Sequence, residues 1–128
     1  MKPATSIVLI VDDEAELCEL FSLALENAGF ETLTASNGND AFRIVNERRI
    51  DVVVSDVRMP GGDGIDLLEK IRSLPARTPA VILVTGFADL SADEARRRGA
   101  AAFLSKPIDF EVLVETVKKS LQTEAAGN

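Results

Sequence analysis

Histidine, tryptophan and tyrosine are missing from this sequence, and cysteine occurs once. Without histidine there is no Ser-His-Asp or Cys-His nucleophile, no HExxH zinc site and no phosphohistidine on the chain itself. Without tryptophan or tyrosine, the aromatic sandwich that holds a flavin has few residues to draw on. The lone Cys18 excludes an internal disulfide and any CxxC metal or redox motif. Long apolar runs are missing too: none exceeds about six residues, against the ~20 of a membrane-spanning helix. MKPATS at 1–6 lacks the apolar stretch of a signal peptide. Positive charge is the minority: 14 Lys and Arg stand against 21 Asp and Glu, for a net charge of −7. That balance argues against nucleic-acid contact by this segment and against docking on anionic lipid. What remains for chemistry is carboxylate, lysine, serine and threonine, in a reduced setting expected to be the cytoplasm.

What is present is ordinary material for one globular domain: 128 residues, 46% hydrophobic and 27% charged. Apolar runs alternate with amphipathic stretches. Strands are expected at 6–11, 30–35, 51–55, 80–84 and 101–104. Helices are expected at 14–28, 39–48, 64–74, 92–98 and 110–122. Gly29 and Gly99 read as helix stops, Pro75 ends the third helix, and Ser91 with Glu94 reads as a capping box. Asp109 reads as the N-cap of the last helix, with Val112, Leu113, Val117 and Leu121 facing inward. In the first helix the apolar face is Leu17, Phe21, Ala24, Leu25 and Ala28. The domain is expected over 1–128 with a core of about 6–121, and residues 1–5 and 123–128 are expected to fray. IVLIV, DVVVS and AVILV are apolar without alternation, as strands covered on both faces are. Strands alternating with helices predict an α/β fold, a parallel sheet with helices on both faces. Ligands of such sheets sit outside the carboxyl ends of the strands, where the strand order reverses.

Polar residues follow the apolar runs at that edge. Asp12 and Asp13 follow the first strand, Asp56 the third, Thr85 the fourth, Ser105 and Lys106 the fifth. Asp12 or Asp13 also reads as a helix N-cap, and Asp13 with Glu16 fits a capping box. Capping and ligation are compatible for one of the two. Three carboxylates and one ammonium around one mouth carry about −2, which a divalent cation offsets. Magnesium takes carboxylate, carbonyl and water oxygens and commonly pairs with phosphate. With the ion in place Asp56 is expected to act as a carboxylate nucleophile toward phosphorus, Lys106 stabilising the oxygens of the transferred group.

IVDDE at 10–14, SDVRMPGGDG at 55–64, VTG at 84–86 and FLSKPID at 103–109 resemble the receiver domain of bacterial two-component response regulators, over about residues 6–121. The resemblance implies a doubly wound, flavodoxin-like fold: five parallel strands in the order 2-1-3-4-5 and five helices. It implies Asp56 as phosphoacceptor and Mg²⁺ held by Asp13 directly, Asp12 through water, Asp56, and the backbone carbonyl of Arg58. Lys106 then contacts the phosphoryl group, Thr85 moves to hydrogen-bond it, and Phe103 turns inward after Thr85. Lys106–Pro107 is the family's cis bond, and Met59, Pro60 and Gly64 fit the loop after the acceptor. Arg58 and Phe87 flank the acceptor and switch residues. Because the chain has no histidine, the implied donor is a histidine kinase or histidine phosphotransfer protein. The implied output is a remodelled face of helix four, strand five and helix five, read by an output domain, a downstream protein or a second receiver. Arg96, Arg97 and Arg98 lie on that face and read either as a solvated run or as a contact for an acidic partner. The chain departs from many members at Gly86, where they carry alanine, at Phe103, where they carry tyrosine, and in its brief fourth helix. A turnover enzyme is not expected. Two alternatives stand beside the switch: a degenerate receiver that only binds partners, and a haloacid-dehalogenase-like phosphatase. The latter needs a DxD motif and a late acidic pair that this sequence lacks. A flavodoxin-like electron carrier lacks its phosphate loop here, and no GxxxxGK[ST] occurs.

Overall fold

The computed structural model describes residues 5–59, 63–75, 79–86 and 91–126. Pro60, Phe87 and the two chain ends at 1–4 and 127–128 lie outside the described residues. Strands and helices alternate along the chain. They are β1 Ile7–Val11, α1 Ala15–Asn27, β2 Glu31–Ala35, α2 Gly38–Glu47, β3 Val52–Asp56, α3 Gly64–Arg72, β4 Ala80–Thr85, α4 Ala92–Arg97, β5 Ala102–Ser105 and α5 Phe110–Ala126. The five strands form one sheet in the order β2-β1-β3-β4-β5, every neighbouring pair parallel. This is the expected doubly wound, flavodoxin-like arrangement. The order reverses beside β1, which pairs with β2 on one side and β3 on the other.

The pleat splits the core in two. Leu9, Val11, Val53, Val81 and Leu83 point to one face, under Ala41 of α2, Leu67, Leu68 and Ile71 of α3 and Ala95 of α4. Val8, Ile10, Val52, Val54, Ile82 and Val84 point to the other, under Cys18, Phe21 and Leu25 of α1 and Leu113 and Val117 of α5. Central strands β3 and β4 are buried along their whole length, which is why their sequences carry no polar alternation. Edge strand β2 is buried only at Ala35, in keeping with its alternating sequence.

Helix ends follow local chemistry. Gly29 and Gly99 adopt φ of 99° and 106°, where a side chain is strained, and Phe30 and Ala100 donate back to Leu25 and Ala95 to close the turns. Ser91 accepts the Glu94 N–H at 3.1 Å, but the Glu94 carboxylate turns to Arg97 and Arg98, so only half of the expected capping box forms. Asp109 accepts the Glu111 N–H at 2.8 Å at the start of α5. Three expectations fail here. Val112 is 47% exposed, because Leu113 and Val117 set the buried line of α5 and Val112 lies a ~100° step off it. Ala28 is exposed, because it follows the last residue of α1. The last helix continues past Gln122 to Ala126, through residues that include good helix formers and neither glycine nor proline.

Candidate functional site

The register brings the expected residues to one edge. Val11 pairs with Ser55, Asp56 with Val84, and Thr85 with Ser105, so the ends of β1, β3, β4 and β5 lie side by side. Asp12, Asp56 and Lys106 continue the strand phase that faces α1 and α5. Thr85 and Phe103 share the opposite phase, that of Leu83, facing α2, α3 and α4.

Asp12 is 3% exposed and Asp56 7%, both ionisable groups nearly sealed from water. Lys106 is what makes this tolerable. Its Nζ donates to Asp56 Oδ2 at 3.0 Å and to Asp12 Oδ2 at 3.3 Å, bridging two acids that otherwise repel. Burial pushes the Asp12 carboxyl above its ordinary value, while the Glu14 N–H and the Lys106 charge pull against that rise. Burial alone would lower the Lys106 ammonium, but the hydrogen bond it donates to Asp56 and the charge of Asp12 outweigh it, so lysine holds its proton above the ordinary range. Cys18 lies beneath: its thiol donates to the Asp12 carbonyl at 3.4 Å, and burial followed by the Asp12 charge pushes its pKa up. That thiol is protonated at neutral pH and inert.

Asp13 differs from its neighbour by being exposed. Neither acid is the helix N-cap. That position is Glu14, which makes no side-chain cap bond, so the Asp13–Glu16 capping box does not form. Asp12 Oδ1 instead accepts the Glu14 N–H at 2.9 Å, turning the chain from β1 into α1. Asp12, Asp13 and Asp56 each offer a carboxylate oxygen, all within 4.8 Å of one another. Opposite oxygens around a six-coordinate magnesium are about 4.2 Å apart, so this all-oxygen set fits that ion with little adjustment. Arg58 is exposed in the loop after β3. Thr85 ends β4, 2% exposed, and its carbonyl accepts the Lys106 N–H at 2.9 Å, tying the two strand ends together. Phe103 is half-buried against the α2–α4 side of the core. The Lys106–Pro107 peptide is cis.

The structure adds a residue with no role assigned above. Ser55, fully buried, donates its hydroxyl to the Asp56 carbonyl at 2.9 Å. A serine closing the run DVVVS was the available signal, since a buried hydroxyl needs a partner. Gly64 opens α3 against the same carbonyl: a Cβ there would overlap the Asp56 oxygen, and its N–H donates to Val57 at 2.9 Å. Arg96 pairs with Asp93 and Arg97 with Glu94 within α4, and Arg98, just after it, pairs with both Glu94 and Glu69 of α3. Among the described residues, no helix is long and apolar enough to cross a membrane.

Comparison with known proteins points one way. The response regulator receiver domain family matches residues 8–118. Regulatory protein AtoC of Escherichia coli is 42% identical over 123 residues, covering 95% of this chain and 26% of that protein. The DNA-binding transcriptional regulator NtrC of Salmonella typhimurium is 36% identical over 116 residues, 90% of this chain and 24% of that protein. The chain thus spans about a quarter of the length of the curated relatives it matches. A receiver domain from Clostridium thermocellum superposes with a TM-score of 0.88 at 32% identity, covering 96% of this chain and 99% of that one. With the sheet order, the acids at its reversal point and these likenesses in agreement, the chain belongs to the response regulator receiver domain family.

Proposed function

We propose that this domain is a phosphorylation-driven switch with Asp56 as the acceptor. The observation that carries the reading is Asp56 itself: a nearly buried carboxylate at a strand end, 3.0 Å from a lysine and grouped with two further acids. The donor is a phosphohistidine of a histidine kinase or phosphotransfer protein, because this chain has no histidine. A lone pair on an Asp56 oxygen forms the O–P bond as the P–N bond breaks, its electrons returning to the donor ring, which carries a proton on its other nitrogen and leaves as neutral imidazole. The product is an acyl phosphate, formed with a carboxylate as the nucleophile. Asp12, Asp13 and Asp56 with the Arg58 carbonyl would hold Mg²⁺, which supplies charge neutralisation at the phosphoryl oxygens when bound. Lys106 adds its own positive charge to those oxygens. The Thr85 hydroxyl moves to hydrogen-bond one of them, and Phe103, on the same side of the sheet, turns inward behind it.

The output follows as a shift between two conformations, sized by how differently each binds the phosphoryl group. The face of α4, β5 and α5 is remodelled and engages the output region of a longer protein, a downstream partner or a second receiver. One phosphoryl group is taken per chain, without turnover, and the setting is the cytoplasm. Intact-mass measurement after incubation with Mg²⁺ and acetyl phosphate tests this. The wild type gains one phosphoryl group and Asp56→Asn gains none. Repeated substrate turnover without an adduct indicates a phosphatase, and no adduct at all indicates a pure binding module; either result overturns the proposal.

A further inference from the structure

We infer that Ser55 is a positioning residue for the Asp56 acceptor, acting through the Asp56 main-chain carbonyl; the inference rests on the acceptor reading above. Ser55 is fully buried, and its hydroxyl donates to that carbonyl at 2.9 Å. The same oxygen is covered by Gly64 at the first turn of α3. Val57, next in the chain, is fixed on both sides: its N–H donates to Val84 at 2.9 Å and its carbonyl accepts from Gly64 at 2.9 Å. The peptide group leaving Asp56 is therefore held by a hydroxyl, the close approach of Gly64 and one main-chain bond, and the next peptide by a second.

That clamp matters because a side chain inherits its direction from its own backbone. The Asp56 carboxylate must meet Lys106 at 3.0 Å and share a 4.8 Å cluster with Asp12 and Asp13. A small rotation of the peptide plane carries the carboxylate with it, and reacting groups tolerate little misplacement. Ser55 does this from the far side of the sheet. Its side chain lies in phase with Val53, toward α2–α4, whereas Asp56 lies in phase with Val54, toward α1 and α5. It holds the acceptor without competing for the carboxylate oxygens, which stay available to Lys106 and the incoming group. Removing the hydroxyl takes a hydrogen bond from a buried carbonyl and loosens the strand end at the acceptor.

The test compares wild type, Ser55→Cys and Ser55→Ala, a series of similar size with falling donor strength. With Mg²⁺ and acetyl phosphate, the maximal phosphorylation rate falls about fivefold in Ser55→Ala, the loss expected from one such bond, with Ser55→Cys between. The acetyl phosphate concentration for half-maximal rate stays unchanged, since donor binding is not what Ser55 touches. In metal-free protein the amide resonances of Val57 and Gly64 shift in the same order. A Ser55→Ala protein that reacts at the wild-type rate with unmoved Val57 and Gly64 resonances overturns the inference. So does a loss expressed in the half-maximal concentration alone. If the wild type takes no phosphoryl group, the acceptor reading falls instead, and the metal-free resonances still report whether Ser55 sets the strand end.

Discussion

At the scale of single residues, the site is a balance of charges rather than a set of contacts. Lys106 compensates two buried acids, and its raised pKa fixes the sign of the pH effect. The stability it lends is complete below its ordinary value of 10.5 and is lost as pH rises through the higher folded value. Asp12 gives a pH slope of the same sign from a different cause: its raised pKa makes the ionised form a cost at neutral pH, relieved as pH falls through that raised value. In metal-free protein, Lys106→Met therefore unfolds at lower urea at pH 8, by about 1.5–3 kcal/mol. Between pH 9 and 12 its stability falls less steeply than the wild type's. Circular dichroism over that range checks both statements. Gly64 makes the complementary case for shape. Gly64→Ala drives a methyl into the Asp56 carbonyl and costs about 1–3 kcal/mol, read from the urea midpoint, and it slows phosphorylation by displacing the acceptor strand end. The acids, Thr85 and Lys106 could be placed at one edge from the sequence because each lies within two residues of the end of an apolar run. Ser55 and the Asp12–Glu14 turn were not, because their bonds depend on backbone angles at a strand end, which side-chain type does not specify.

At the scale of elements, the helices hold the edge in place. Asn37 caps α2, its side chain accepting the Asp40 N–H at 2.8 Å. Asn37→Ala lowers stability by about 1 kcal/mol, and Asn37→Gly by a few tenths, a contrast measurable by thermal melts. Element type was readable throughout because buried parallel strands and amphipathic helices leave different periods in the sequence. The misreadings sit where one period gives two answers. Val112 is apolar and adjacent to the buried line of α5, yet points to water. Asp13 has the chemistry of a cap, but Glu14 occupies the capping position because Asp12 starts the turn one residue earlier. Helix α4 is the least embedded of the helices with fully described side chains, burying Ala95 alone, while Arg98 ties its end to Glu69 of α3. An element with so little buried surface costs little to shift, which is what the proposed output requires.

At the scale of the whole molecule, the acids set how the fold responds to divalent ions. Asp12, Asp13 and Asp56 repel one another without a cation between them, so on the proposed reading Mg²⁺ raises the melting temperature with the logarithm of its concentration over the dissociation constant. The gain is about 2.7 kcal/mol at a hundredfold excess over the dissociation constant. Asp13→Asn, at the exposed member of the group, melts no lower than wild type in EDTA and gains less from the ion; a titration of melting temperature against Mg²⁺ distinguishes the two effects. The sheet order makes this assembly long-range. Lys106 meets Asp12 across 94 positions of sequence and reaches the site from β5, an edge strand near the end of the fold. A chain emerging from the ribosome thus displays its acids long before their countercharge exists. On the proposed reading, readiness to take phosphorus belongs to the finished domain, and a fragment that stops short of the final strand is expected to take none.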